Sequence, residues 1–239
     1  MKPVALVTGA GRGLGAALAA RLAARGYALA LHAFKSQAGA QALRDQLRRA
    51  GAEAECFAGD LAREAEAQVL VREVTERFGR IDVLINNAGV YHEKKLQELS
   101  EGEWFEGLNS TASAVFFTTR AALPELRKSG RGRVINIGDS SCERPGARDL
   151  AVSYHIGKTG VYMLSRSFAQ EEAGHGVTVN LVSPGYLEGS VGLPEAAKVP
   201  AGRWGTHEDV WNAVEFLLKP ESGYLTGSNL VLSGGWNLR

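Results

Sequence analysis

Val4-Ala5-Leu6-Val7-Thr8-Gly9-Ala10-Gly11-Arg12-Gly13-Leu14-Gly15 is the stretch on which the fold turns. Its unbroken apolar run suits a strand buried on both faces of a parallel sheet. The glycines let the backbone turn tightly, and an Ala/Leu-rich helix then runs to Arg25. Strand, glycine-rich turn and helix in that order make a phosphate cradle. Small residues admit a pyrophosphate to the backbone, and the helix N-terminus favours its charge. Gly9, Arg12, Gly13, Leu14 and Gly15 are therefore candidate cofactor residues.

Outward from this turn, a second strand is expected over Tyr27–Ala33, running into Phe34-Lys35-Ser36. A carboxylate here would bond the ribose 2′-hydroxyl of NAD. The chain offers none. It supplies the cation of Lys35 and the hydroxyl of Ser36, and Arg12 adds a second cation to the same corner. That charge suits a 2′-phosphate, so NADP(H) is the expected cofactor.

A helix over Ser36–Ala50 and a strand over Ala54–Ala58 lead to Gly59-Asp60-Leu61. Asp60 can N-cap the next helix, Arg63–Phe78, or bond the adenine amino group. The fourth strand, Ile81–Ile85, delivers Asn86-Asn87-Ala88-Gly89. Small residues there let a cofactor lie against the backbone while the amides hold neighbouring strands. Glu103–Ser129 reads as one long helix with Asn109 inside it. Asparagine competes with helical backbone bonding, which marks this one as a functional candidate, an anchor for a water.

The remaining elements are strands at Arg133–Ile137, Val177–Val182 and Asn229–Leu232, and a helix at His207–Leu218. The sixth strand ends in Ser183-Pro184-Gly185. Strands alternate with helices throughout, with no repeat or linker. The expectation is one α/β domain over residues 1–239, a Rossmann-like doubly wound parallel sheet with helices on both faces.

Bulk composition narrows the function classes. A net charge of +1 on 239 residues argues against a nucleic-acid or polybasic membrane surface. Apolar stretches are short, so none spans a bilayer, and Met1-Lys2-Pro3 leads into a strand rather than a signal peptide. Cys56 and Cys142 lack metal-ligand spacing and read as reduced thiols, no zinc pattern appears, and the cytoplasm is the expected compartment.

Chemistry is expected from Ser153-Tyr154-His155-Ile156-Gly157-Lys158. Tyr154 and Lys158 share one helix face at this spacing, and the helix continues to Ala173 through Val161, Leu164, Phe168 and Ala169. A phenol titrates near pH ~10, and a nearby ammonium favours the phenolate, which would lower that value and suit Tyr154 for acid/base work.

Thr8-Gly9-x-x-x-Gly13-x-Gly15, Asp60-Leu61, Asn86-Asn87-Ala88-Gly89, Asn109, Tyr154-x-x-x-Lys158 and Pro184-Gly185 fall in this order, each on its expected element. In this the chain resembles the short-chain dehydrogenase/reductase family over essentially its whole length. The resemblance implies Tyr154 as catalytic acid, Lys158 as the residue that lowers its pKa and binds the nicotinamide ribose, and Asn109 as holder of a relay water. It also implies cofactor contacts from Leu61, Asn87, Ala88, Gly89, Pro184, Gly185 and Leu187, a small-molecule or thioester substrate, and a homotetramer, with a dimer as the alternative. The tetramer would form through the two long helices, with Phe116, Phe117, Tyr162 and Met163 as surface candidates.

Within the family the chain is similar to 3-oxoacyl-thioester reductases and pteridine reductases. Val199-Pro200-Ala201-Gly202-Arg203 and Tyr224-Leu225-Thr226-Gly227 are similar to the tail both share, and His32-x-x-Lys35-Ser36 resembles the NADPH phosphate site of the latter. Three features depart from the pattern. Counting the usual interval back from Tyr154 places the family's catalytic serine at Ser141, whereas counting forward from the fifth strand gives Asp139 and a longer loop. Pteridine and dihydromonapterin reductases carry aspartate there, and the latter have a similar Glu-Arg pair, as in Glu143-Arg144. The spacing leans to Ser141, and both stay open as catalytic candidates. The family's threonine after Leu187-Glu188 is replaced by Gly189-Ser190, and the segment from Ser190 to Val199 is short for a lid, implying an open pocket.

Overall fold

In the computed structural model, which describes residues 2–238, seven parallel strands form one sheet in the order β3-β2-β1-β4-β5-β6-β7. The strands are β1 (Val4–Val7), β2 (Ala28–His32), β3 (Ala54–Phe57), β4 (Val83–Asn86), β5 (Arg133–Ile137), β6 (Thr178–Pro184) and β7 (Asn229–Leu232). The helices between them are α1 (Gly13–Ala24), α2 (Gln37–Arg49), α3 (Glu64–Phe78), α4 (Glu101–Leu108), α5 (Ala114–Lys128), α6 (Val152–Glu172) and α7 (His207–Leu218). Met1 and Arg239, the ends of the expected domain, lie outside the described residues.

Successive residues of β1 serve opposite faces, as the strand period requires. Val4 and Leu6 pack beneath α3, α5 and α6, whereas Ala5 and Val7 pack beneath α1, α2 and α7. Both faces are dry, which is why these strands read as continuous apolar runs. Leu18 and Leu22 of α1 are fully buried; each contributes about 1.5–3 kcal/mol relative to exposure.

Strand order reverses between β1 and β4, and in such sheets ligands bind beyond the carboxyl ends at that reversal. Side chains tie the crossing point together. Asn87 Nδ2 donates to the carbonyls of Thr8 (3.1 Å) and Gly9 (3.2 Å), and the Asn87 and Ala88 amides donate to Thr8 Oγ1. Asn86 donates to Asn136, which donates to Ser165 on α6, so a buried polar chain registers β4, β5 and α6. The amides hold neighbouring strands, as expected.

The long helix expected over Glu103–Ser129 is interrupted. After α4 comes a π turn, Asn109–Ser113, and only then α5. The amide of Ala114 bonds the Asn109 carbonyl, and Thr111 Oγ1 donates to the carbonyls of Gly107 and Leu108. Asn109 therefore stands where the helical ladder changes register, a place such turns favour. Other boundaries shift less: β4 runs on to Asn86 and β6 to Pro184.

Candidate active site

A cleft of about 1280 Å³ opens along the carboxyl ends of the strands. At its far end lies the glycine turn. Gly9, Arg12, Gly13 and Leu14 line the cleft, but Gly15 stands behind it. A Cβ on Gly15 would meet Gly9 O at 2.3 Å and Asn87 Nδ2 at 2.4 Å, so this glycine lets helix, turn and β4 close together.

The end of β2 and the loop after it bring His32, Lys35 and Ser36 to the same end. His32 is 2% exposed; its Nε2–H donates to Gly59 O at 2.9 Å, while Nδ1 is buried without a partner among the described residues. Burial holds this imidazole below its ordinary pKa, hence neutral. Lys35 is not free: its ammonium pairs with Glu106 of α4, which also accepts from His92. Arg12 is exposed, with no ion-pair partner among the described residues. Asp60 and Leu61 line the cleft after β3. Asp60 does not N-cap α3: the N-cap is Arg63, and Asp60 Oδ1 accepts from Ala62 N inside the preceding turn.

Asn87, Ala88 and Gly89 form the floor after β4, and Pro184, Gly185 and Leu187 the wall after β6. Gly189, at φ +79°, and Ser190 complete a turn in which Ser190 N donates to Leu187 O.

The other end of the cleft holds Asp139, Ser141, Tyr154 and Lys158. Tyr154 and Lys158 lie one turn apart on α6. That helix reaches deep because Gly157 sits against the π turn: a Cβ there would fall 1.8 Å from Thr111 Oγ1. Ala151, just before α6, has φ +52° and is fully buried, the single non-glycine residue in the left-handed region among those described. Such backbone costs about 1–2 kcal/mol and gathers at functional sites. Nothing in the sequence pointed to it.

Lys158 is 3% exposed and its Nζ donates to Ile137 O at 2.6 Å. Burial lowers its pKa to about 8. The ammonium stands 5.4 Å from the Tyr154 ring centre. The expected depression of the Tyr154 pKa is not what this arrangement produces: burial raises it, with Asp139 and Tyr91 adding to the rise. A partly desolvated phenol facing a carboxylate loses more stabilisation of its anion than an ammonium bonded elsewhere restores.

Asp139 follows β5 directly, after Gly138. Its Oδ1 accepts from the Ser141 amide (2.9 Å) and from the Ser141 hydroxyl, so Ser141 is turned toward Asp139. The Asp139 charge reaches Tyr154, Lys158 and His155. Asn109 is not on the cleft wall; its Oδ1 accepts from Ser113 Oγ at 2.9 Å, one layer behind.

Several wall residues had no assigned role in the sequence reading. Tyr91 meets Tyr154 edge-on at 5.2 Å, and Tyr186 meets Trp236 at 5.1 Å. His155, Arg144 and Arg148 complete this half. The advance signals were His155 inside the Tyr-x-x-x-Lys stretch and Arg144 in the Glu143-Arg144 pair.

The short chain dehydrogenase family model matches residues 3–197. The chain is 35% identical to the 3-oxoacyl-(acyl-carrier-protein) reductase FabG of Vibrio cholerae serotype O1 over 240 residues, covering 97% of this chain and 96% of that one. The FabG of Escherichia coli strain K12 gives the same figures. The FabG of Staphylococcus aureus strain N315 is 31% identical, with 98% of each chain covered. With a glycine turn, a paired-asparagine floor and a Tyr-Lys helix along one parallel sheet, the chain belongs to the short-chain dehydrogenase family of oxidoreductases.

Proposed function

We propose that this chain is an NADPH-dependent reductase of a carbonyl, a ketone or 3-oxoacyl group, with Tyr154 as proton donor. The observation that carries the reading is continuity: one cleft runs from the glycine turn to Tyr154 and Lys158. The relatives named as 3-oxoacyl-(acyl-carrier-protein) reductases support the substrate class.

The residues present fit a dinucleotide. A Cβ on Gly13 would project into open space at the cleft wall, leaving the α1 N-terminus approachable. His32 Nδ1 is a buried acceptor that a ribose hydroxyl or an amino group can satisfy. Arg12, Lys35 and Ser36 would hold a 2′-phosphate, with Lys35 released from Glu106. Asp60, Leu61 and Asn87-Ala88-Gly89 would take the adenosine portion and backbone. Lys158 would hold the nicotinamide ribose, and Pro184, Gly185 and Leu187 the ring. Bound NADPH supplies the hydride.

Tyr154 gives its proton to the oxygen as charge develops there. A substrate oxygen within hydrogen-bond reach offsets the burial that raises the phenol's pKa, and Lys158 favours the resulting phenolate. Asn109 would hold a relay water, with its side-chain Oδ1 already accepting from Ser113 Oγ.

A second reading has a specific observation in its favour. Asp139 stands two residues beyond β5, and Ser141 is bonded to it. An aspartate there can help deliver a proton to a ring nitrogen, as the resemblance to pteridine reductases implies. NADPH oxidation with a 3-oxoacyl thioester and with dihydrobiopterin separates the two. Thioester turnover supports the carbonyl reductase, pterin turnover alone sinks it, and no turnover of either counts against both substrates.

The cytoplasm and a homotetramer belong to the same reading. Among the described residues no helix is long and apolar enough to cross a membrane. Met163 is 64% and Ile156 47% exposed on α6, apolar surface that a second copy would cover, whereas Phe116 and Phe117 pack largely into the core. Light scattering tests it: a monomer would contradict the tetramer.

A further inference from the structure

Tyr154 and Lys158 do not exhaust the proton-binding groups of the cleft. His155 lies beside Tyr154, its ring edge-on to Tyr154 at 5.5 Å and to Tyr91 at 6.1 Å. Its Nδ1 is sealed from solvent without a hydrogen-bond partner and lies 3.9 Å from Asp139 Oδ2. A buried polar nitrogen left unsatisfied loses the hydrogen bond it would make in water. A proton on Nδ1, met by the carboxylate after a shift of about 1 Å, removes that loss. The groups facing this ring are Asp139 from the loop after β5, Arg148 from the loop before α6, Tyr91 from the loop after β4, and Tyr154 and Lys158 on α6 itself. Asp139 is the one carboxylate among them.

We infer that His155 and Asp139 form one proton-binding pair in which His155 sets the charge that Asp139 presents to Tyr154. The kinetic half of this inference rests on the reductase reading; the titration half does not. With His155 protonated, the pair is neutral overall and its field on the phenol is weak. When the proton leaves to solvent, the full carboxylate charge faces Tyr154, holds its proton more tightly and makes it a poorer donor. His155 bonds neither substrate nor cofactor in this scheme, so it is a positioning residue. Burial, ahead of the opposing pull of Asp139, places the His155 step below its ordinary value. Reduction therefore slows as pH rises through that step.

Two readouts on the full chain test the pair. Nuclear magnetic resonance follows the His155 ring through its titration in wild type and in Asp139→Asn, with no turnover needed. The midpoint is expected to fall by about one unit in the variant, the lower end of the ~1–3 units a nearby opposite charge produces. The pH dependence of kcat then compares wild type, His155→Gln, Asp139→Asn and the double variant. His155→Gln should hold kcat at the wild-type high-pH level, up to about tenfold below the low-pH plateau if the phenol shifts by one unit, with KM for NADPH unchanged. In Asp139→Asn the change at 155 should have no further effect. A His155 midpoint indifferent to Asp139→Asn, or a His155→Gln rate lowered evenly at every pH, overturns the pair. A coupled titration in a protein that reduces neither carbonyl nor pterin supports the pair and overturns the reductase reading instead.

Discussion

The turn after β1 and the turn after β5 face the same cleft from its two ends and are built by different means. The first is made of backbone. Gly15 brings α1 against Gly9, and Asn87 pins the turn through two carbonyls. The second is made of side chains on a longer loop: Asp139 gathers Ser141, its charge reaches Tyr154, Lys158 and His155, and a left-handed Ala151 sets the start of α6. A site made of backbone admits few sequences and tolerates little change. One made of side chains can exchange a serine for an aspartate and take different chemistry on the same frame.

The largest expected effect separates chemistry from binding. Tyr154→Phe should lower kcat at least about a hundredfold, within the ~10²–10⁴ range of a positioned proton donor, while the Kd for NADPH measured by fluorescence stays within about twofold. A parallel loss of NADPH affinity would erase the distinction between the two ends.

Two glycine replacements sharpen it. Gly15→Ala sets a methyl into Gly9 O and Gly157→Ala sets one into Thr111 Oγ1. Each should cost about 1–3 kcal/mol of stability in thermal unfolding. Gly15→Ala should chiefly weaken NADPH. Gly157→Ala should chiefly lower kcat, because it displaces Lys158 and Tyr154 from β5. Equal effects of both on kcat would mean the ends are not independent.

The smallest effects lie at the 2′-phosphate corner. Lys35→Ala should weaken NADPH about tenfold and leave NADH nearly unchanged, the value of one partly exposed charge-assisted contact. Glu106→Gln frees Lys35 from its ion pair and should strengthen NADPH by a few-fold. The opposite sign in Glu106→Gln would place Lys35 outside the phosphate site.

The difference between the ends also governs what the sequence could reveal. β1, the glycine turn and Asn86–Gly89 were legible because backbone geometry demands particular residues at fixed spacing. The π turn at Asn109 was half visible: asparagine flagged the position, but the break depends on Thr111 and Gly157 packing across helices. Lys35 was read as a free cation, and its pairing with Glu106 joins residues far apart in the chain. The phenol's pKa was read with the wrong sign because burial and the direction of Asp139 are tertiary facts. Spacing leans to Ser141 without excluding Asp139, since loop length and strand end give different answers. The hydrogen bond between them is a tertiary contact that neither count contains.

NADPH oxidation by Asp139→Asn and Ser141→Ala, assayed with the 3-oxoacyl thioester and dihydrobiopterin, tests the central claim most directly. That claim is a reductase whose reacting end is organised by Asp139, in the loop after β5. The account predicts that Asp139→Asn changes turnover of the accepted substrate by at least about tenfold and alters its pH dependence, while Ser141→Ala, which removes one hydrogen bond to Asp139, changes it about threefold or less. Loss of turnover in Ser141→Ala with Asp139→Asn near wild type would contradict it, returning the catalytic hydroxyl to Ser141.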